Sequence, residues 1–311
     1  MRSEFLHNAA FYASEEEFLS VVVPFLEDGQ FAGERALVAV SDHRARLLRT
    51  ALSHPENVTF LPGDAAYRRP ASTIRTMLEL FREHVKTSSQ RIRITGEVLD
   101  SGPGAPRDWD PWARFEAAIN DLFRDFPVSA LCLYDARTTP ARVREEIEHT
   151  HPRLSTSDQP GLINDRYQEP AAFLAERSQP RADPIERTAP RIALVDPSAA
   201  AARRAVGELA SGSAISRDDE RDLIWGVSEA IANAHVHGRA PVELRGWSTP
   251  DRLVICIRDS GSGPSDPYAG LVPATPGAGG LGLWIAHQTC AHVVHVHAHD
   301  GFTIRFTAHF T

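Results

Sequence analysis

Between Trp225 and Leu283 the chain carries three short runs, SEAIANAHVHG, RDSGSG and GAGGLGLWIA, and no other feature constrains the fold as tightly. The first run spaces Glu229, Asn233 and His237 four residues apart, so a helix presents all three on one face. A carboxylate beside a carboxamide offers a hard cation an oxygen ligand and sets a base next to it. In the second run Asp259 follows the apolar segment Leu253 to Ile257, which predicts a strand. An acceptor at a strand end, with Gly261 and Gly263 just beyond it, lets the backbone approach a flat ring and suits recognition of adenine. The third run sets Gly277, Gly279, Gly280 and Gly282 at the mouth of an apolar helix. Backbone N–H groups at a helix N-terminus attract phosphates.

The order E-x-x-x-N, D-x-G-x-G, G-x-G-G-L-G-L resembles the three nucleotide-binding boxes of the GHKL (Bergerat) ATPases. Within that superfamily Ser228 to Gly238, S-E-A-x-x-N-A-x-x-H-G, is most similar to the anti-sigma-factor serine/threonine kinases. The resemblance implies an α+β fold with helices over one antiparallel-rich sheet, binding ATP and Mg2+. It implies that Asn233 holds Mg2+ and that Glu229 is the catalytic base. It assigns the adenine contact to Asp259 with Gly261 and Gly263, and a phosphate lid to Gly277, Gly279, Gly280, Leu281 and Gly282. Thr303, on a closing hairpin, is expected to line the base pocket. His237 matches the pattern and suits a cap or packing role equally well. The implied partners are a sigma factor and a STAS-fold anti-sigma antagonist, and the ATPase family implies a homodimer.

With 311 residues the chain has room for two domains, each with its own core. A net charge of -8 argues against a nucleic-acid-binding surface. Cys132, Cys256 and Cys290 stand singly in apolar segments and read as reduced core residues of a cytoplasmic protein. The first residues, MRSEFLHNAAFYASEEE, hold no apolar h-region and no run approaches 18 apolar residues, so neither a signal peptide nor a membrane partner is expected.

Read from the start, helix and strand patterns alternate. A helix is expected over residues 13–27, capped by Ser14 and stopped near Gly29. Strands follow at 36–40, 58–61, 91–97 and 130–135, with helices at 73–85, 112–125 and 140–149 between and after them, and a further helix capped by Ser41 or Asp42. Such alternation predicts a wound, mostly parallel sheet. The strings HNAAFY at His7 to Tyr12, GQFAGE at Gly29 to Glu34, TGE at Thr95 to Glu97 and LCLYD at Leu131 to Asp135 resemble the MEDS (DcmR-like sensory) domain. Glu116, Asn120 and His151 also fall where that family has them. The resemblance implies a RecA/KaiC-like α/β fold, and no G-x-x-x-x-G-K-[ST] phosphate loop is present.

His7, Tyr12, Thr95, Glu97, Glu116 and Tyr134 are polar groups expected at the sheet ends, with Thr95 to Glu97 at the end of a strand. They would either line a pocket for a small-molecule ligand at the strand ends or satisfy buried hydrogen bonds. The segment 169–190 holds four prolines and few large apolar residues, and reads as a linker with one helical turn at 171–176. The expected organisation is a sensory domain at 1–168, the linker, and an ATP-binding domain at 191–311. That ensemble reads as a cytoplasmic anti-sigma-type kinase under sensor control. Two alternatives stand beside it: a non-catalytic nucleotide-binding partner-switching module, and a sensor histidine kinase. The latter lacks a phosphoacceptor His in 169–190.

Overall fold

The computed structural model describes residues 5–62, 69–97, 109–177, 182–273, 281–290 and 292–310. It divides the chain into two compact units, Met1–Arg68 with Thr73–Phe173, and Arg69–Ser72 with Leu174–Thr311. Among the described residues no helix is long and apolar enough to cross a membrane.

The first unit alternates strand and helix: β1 (Leu6–Tyr12), α1 (Glu15–Phe31), β2 (Arg35–Val40), α2 (Asp42–Ala51), β3 (Val58–Pro62), α3 (Pro70–Thr87), β4 (Ile92–Glu97), α4 (Asp110–Leu122), β5 (Val128–Asp135) and α5 (Ala141–Thr150). The short strands β6 (Arg153–Ser155) and β7 (Leu162–Ile163) complete it. The sheet order is β3-β2-β4-β5-β1-β6-β7, parallel throughout except for the β6–β7 pair. The wound, mostly parallel sheet expected from the alternation is therefore present. Strand β1 was not expected, yet it runs between β5 and β6 with its residues largely buried. Its run LHNAAFY has no β-branched residue and two adjacent polar ones, so propensity marks only Phe11 and Tyr12 at its end. Burial is tolerated because the polar groups find partners: the Asn8 amide donates to the Ala130 carbonyl at 3.2 Å.

Ser14 caps α1 as expected, its hydroxyl accepting from the Glu17 amide at 3.1 Å. The helix does not stop at Gly29 but continues to Phe31, and the left-handed residue beyond it is Gly33, at φ +71°. Gly29 serves packing instead. A Cβ there would lie 2.5 Å from Cδ of Arg93, whose guanidinium reaches the Phe25 carbonyl at 2.7 Å.

After α6 (Pro170–Glu176), the second unit holds β8 (Ile192–Val195), α7 (Ala199–Ser211), α8 (Arg217–His237), β9 (Glu243–Ser248), β10 (Arg252–Asp259), α9 (Leu281–Thr289), β11 (His292–Ala298) and β12 (Gly301–His309). The five strands pair antiparallel in the order β11-β12-β10-β9-β8. One face of the sheet carries Leu244, Ile255, Ile304 and Phe306, which pack with Val206 of α7 and with Val227 and Ile231 of α8. This is the expected layer of helices over an antiparallel sheet.

Part of the segment expected to be a linker is structure. Its helical turn is α6, and Asp183 caps a 3-10 turn at Pro184–Arg187 through a reciprocal capping box with Glu186. Ile185 then packs on Trp247, Val254 and Cys256, the outer face of the sheet. Trp247 Nε1 donates to the Thr188 carbonyl at 3.1 Å, while Arg252 pairs with Asp183 at 2.9 Å and Arg305 with Glu186 at 2.7 Å. Prolines and charges hide this role in the sequence, because the cover uses a single large apolar side chain.

Phe306 is wholly buried in this core, whereas Val236 on α8 is 73% exposed. Truncation of Phe306 to Ala is expected to cost about 3–5 kcal/mol, against less than about 0.5 kcal/mol for Val236→Ala. Urea unfolding followed by circular dichroism measures both.

Candidate functional site

Ser216 starts α8, its hydroxyl accepting from the Asp219 amide at 3.1 Å, and the acidic Asp218, Asp219 and Glu220 occupy the first turn. The buried stripe of Leu223, Val227, Ala230, Ile231 and Ala234 then holds the helix on the sheet. This docking turns Glu229 and Asn233 to the edge of the packed face, where both are half-buried. His237, the last helical residue, is exposed and lines the mouth of a cavity of about 340 Å³. That volume lies near the lower end of the range of about 300–1,000 Å³ usual for ligand pockets.

The cavity's walls are Ile257 of β10, Leu283 of α9, and Phe302 and Ile304 of β12, with Asn233 and Asp259 as polar groups. Asp259, at the end of β10, is 5% exposed. Its Oδ1 accepts from the Gly261 amide at 2.6 Å and the Arg239 amide at 3.1 Å. Oδ2 has no hydrogen-bond partner among the described residues. A buried carboxylate fixed through one oxygen keeps the other as an oriented acceptor.

Glycine makes this approach possible at several positions. A Cβ on Gly238 would lie 2.5 Å from Asp259 Cγ, and one on Gly261 would lie 2.7 Å from Asp259 Oδ1. Gly263 has φ +69°, and a Cβ there would stand 2.3 Å from the Phe302 ring. In the first turn of α9, Gly282 faces Glu229 and Asn233. A Cβ there would sit 2.8 Å from Glu229 Oε2 and 2.8 Å from Asn233 Nδ2. Neither of those two side chains has a hydrogen-bond partner among the described residues.

Glu229, Asn233, Asp259, Gly261, Gly263 and Gly282 thus gather at or beside one cavity. Thr303 does not join them. Strand alternation turns it away from its neighbours Phe302 and Ile304, which line the cavity. Gly277, Gly279 and Gly280 lie outside the described residues, and Leu281 is placed as the first residue of α9. Sequence reading missed Gly238, whose lack of a side chain admits Asp259, and Arg239, whose amide holds it. The signal was present, since Gly238 ends the S-E-A-x-x-N-A-x-x-H-G run.

The six polar residues of the first unit, expected either to line one pocket or to satisfy buried hydrogen bonds, are divided by its sheet. Register places His7 and Tyr134 on the face covered by α4, where Tyr134 donates to Glu116 Oε1 at 2.9 Å. Tyr12, Thr95 and Glu97 belong to the opposite face. There the Tyr12 hydroxyl donates to Glu97 Oε1 at 2.5 Å, and Thr95 donates to the Leu131 carbonyl at 2.9 Å. Arg44 of α2 reaches Glu97 at 2.8 Å and Asp135 at 3.4 Å, and lies 4.8 Å above the Tyr12 ring. Burial, then the charge of Glu97, pushes the Tyr12 phenol far above its ordinary pKa. Arg137, hydrogen-bonded to Asp135, holds that carboxyl below its ordinary value against the opposing effect of burial.

Residues 6–152 match the family model for MEDS, the methanogen/methylotroph DcmR sensory domain. Residues 193–308 match the model for the histidine kinase-like ATPase domain. Among solved structures, the RsbU and RsbW domains of Rv1364c from Mycobacterium tuberculosis are similar at 18% identity and a TM-score of 0.28. That similarity covers 40% of this chain and 35% of the other, so it spans about a third of that protein. No curated protein matches the chain.

Arg44 is the cation shared by two carboxylates, each 5% exposed. Arg44→Ala is expected to destabilise the first unit by about 3–5 kcal/mol at neutral pH, the usual cost of stranding a buried charge. Arg44 is one of the charges that hold the Asp135 carboxyl below its ordinary value, so the penalty shrinks as pH falls and that acid takes up its proton. Urea midpoints of wild type and variant at pH 7 and pH 4 report the difference.

Proposed function

We propose that this chain, a MEDS domain followed by a histidine kinase-like ATPase domain, is a signalling regulator of the anti-sigma kinase type. In this reading residues 1–168 form a RecA/KaiC-like sensory domain without a phosphate loop, and residues 191–311 bind ATP. The observation that carries it is the meeting of Glu229, Asn233 and Gly282 at the edge of the cavity where Asp259 sits.

The donor set fits a magnesium nucleotide. The apolar walls Ile257, Leu283, Phe302 and Ile304 suit a purine ring, and Asp259 Oδ2 suits its exocyclic amino group. The Asn233 amide and the Glu229 carboxylate lack protein partners among the described residues, and Gly282 leaves a gap beside them that a Cβ would fill. Bound Mg2+ would neutralise phosphate charge. Asn233 supplies its oxygen ligand, and Glu229 takes the proton from the attacking hydroxyl. The amides at the start of α9, with Gly277, Gly279, Gly280 and Leu281 ahead of or at that start, hold the phosphates. The acceptor is a serine or threonine of a STAS-fold antagonist, and the chain sequesters a sigma factor when the antagonist is phosphorylated. The kinase acts as a homodimer, and a small molecule held by the MEDS domain biases which partner is bound.

Two measurements test this reading. Asp259→Asn preserves an acceptor for the Gly261 and Arg239 amides but offers an NH2 group to the adenine amino group, so ATP affinity is expected to fall about 10–100-fold with the fold intact. Glu229→Gln is expected to lower phosphate transfer to a STAS-fold antagonist by about 100-fold or more without weakening ATP binding. Tight ATP binding with no transfer by wild type would favour a non-catalytic partner-switching module. Labelled phosphate retained on a histidine of the chain itself would favour a histidine kinase.

A further inference from the structure

On the α4 face of the first sheet, four side chains of three chemical kinds converge: His7 of β1, Glu116 of α4, Cys132 of β5 and His151 just after α5. All four are buried, His7 to 1% exposure and Glu116 and His151 to 0%. Each offers one ligand atom, and those atoms lie within 4.8 Å of one another. Glu116 Oε2 lies 3.2 Å from His7 Nε2 and 3.5 Å from His151 Nε2. Cys132 Sγ lies 3.4 Å from His7 Nε2 and 3.8 Å from Glu116 Oε2. A tetrahedral centre with bonds of about 2.0–2.2 Å to N and O and about 2.3 Å to S requires edges of roughly 3.3–3.6 Å.

The atoms around the cluster set its protons. The Asn120 amide donates to the carbonyls of Glu116, Ala117 and Thr150, which fixes its oxygen as the acceptor for His7. His7 Nδ1 therefore donates to Asn120 Oδ1 at 3.0 Å, and its Nε2 faces the cluster. His151 Nδ1 donates to the Ile147 carbonyl at 2.8 Å. His151 Nε2 is fully buried with no hydrogen-bond partner among the described residues. With Nδ1 donating to a carbonyl, the neutral ring keeps its lone pair on Nε2. Tyr134 occupies Glu116 Oε1 and leaves Oε2 toward the imidazoles. A histidine that donates its outer N–H to a carbonyl or amide oxygen and aims the other nitrogen inward is the arrangement that supports a metal ligand.

We propose that His7, Glu116, Cys132 and His151 form a tetrahedral site for a divalent transition-metal ion of the zinc class, buried in the MEDS domain. The charge balance favours it. A dication with one carboxylate, one thiolate and two neutral imidazoles is neutral as a set, which removes the cost of burying Glu116 as a lone anion. Binding releases the Cys132 thiol proton to solvent, so affinity rises with pH. Asn120 is a positioning residue that sets the His7 tautomer. The site stands apart from the ATPase chemistry and does not depend on it.

The test is a titration of the full chain, stripped of metal, with cobalt(II) as the probe. One equivalent is expected to bind, with the visible bands of tetrahedral cobalt and a near-ultraviolet thiolate charge-transfer band. One equivalent of zinc is expected to abolish both. Cys132→Ser is expected to lose the charge-transfer band, and Asn120→Ala to bind about 10–100-fold more weakly with the band retained. Should either variant fold poorly, the wild-type spectrum alone decides. No cobalt uptake by the wild type, uptake without a thiolate band, or a band that survives Cys132→Ser would each overturn the site.

Discussion

The geometry of the second unit turns on how closely the end of α8 approaches the end of β10. Gly238 closes the helix where a Cβ would stand 2.5 Å from Asp259, and the next amide, that of Arg239, donates to Asp259 Oδ1. Ser260 returns a bond, its amide donating to the Arg239 carbonyl at 2.7 Å. This join sets the carboxylate against the helix that carries Asn233 and Glu229, so one helix and one strand end position Asn233, His237 and Asp259 at the cavity, while Asp266 lines it from the loop beyond β10. The apolar stripe of α8 provides the leverage. Its buried residues fix the helix rotation, and rotation decides which side chains meet the cavity.

In the first unit the constraint is different. A parallel sheet buried on both faces must find partners for the charges brought to it, and here its buried carboxylates gather in two separate clusters. Around Arg44 the solution is a cation shared between Glu97 and Asp135. Around Glu116 no Arg or Lys is drawn in among the described residues, and the partners are imidazoles, a thiol and a phenol. A carboxylate at 0% exposure among groups that ligate soft and borderline metals is a different chemical environment from a carboxylate beside a guanidinium. The first unit thus has two polar interiors that share β1 and β5, with His7 turned one way and Tyr12 the other.

Local patterns in the chain carry much of this arrangement. Four-residue spacing is enough to place Glu229 and Asn233 on one helical face, and the alternation of elements specifies the wound first sheet. What escapes a reading of the sequence is whatever depends on partners distant along the chain. Strand β1 carries a propensity signal only in Phe11 and Tyr12 at its end, and LHNAAFY is held by pairing on both sides. The segment 182–190 reads as a linker, since only Ile185 announces its contact with the sheet. Face assignment fails where register is needed: His7 and Tyr12 are five residues apart and so lie on opposite faces of β1, which rules out the single shared pocket. Thr303 fails for the same reason, one residue from two cavity-lining neighbours.

The central claim, that the cavity between α8, α9 and the β10–β12 strands holds a magnesium nucleotide, is tested most directly by calorimetry. Mg-ATP would be titrated into wild-type chain and into Asn233→Ala, a half-buried side chain with no hydrogen-bond partner among the described residues, whose loss leaves the fold undisturbed. The account predicts saturable one-to-one binding by the wild type and its collapse in the variant. Heat of binding absent from both, or identical in both, would contradict it.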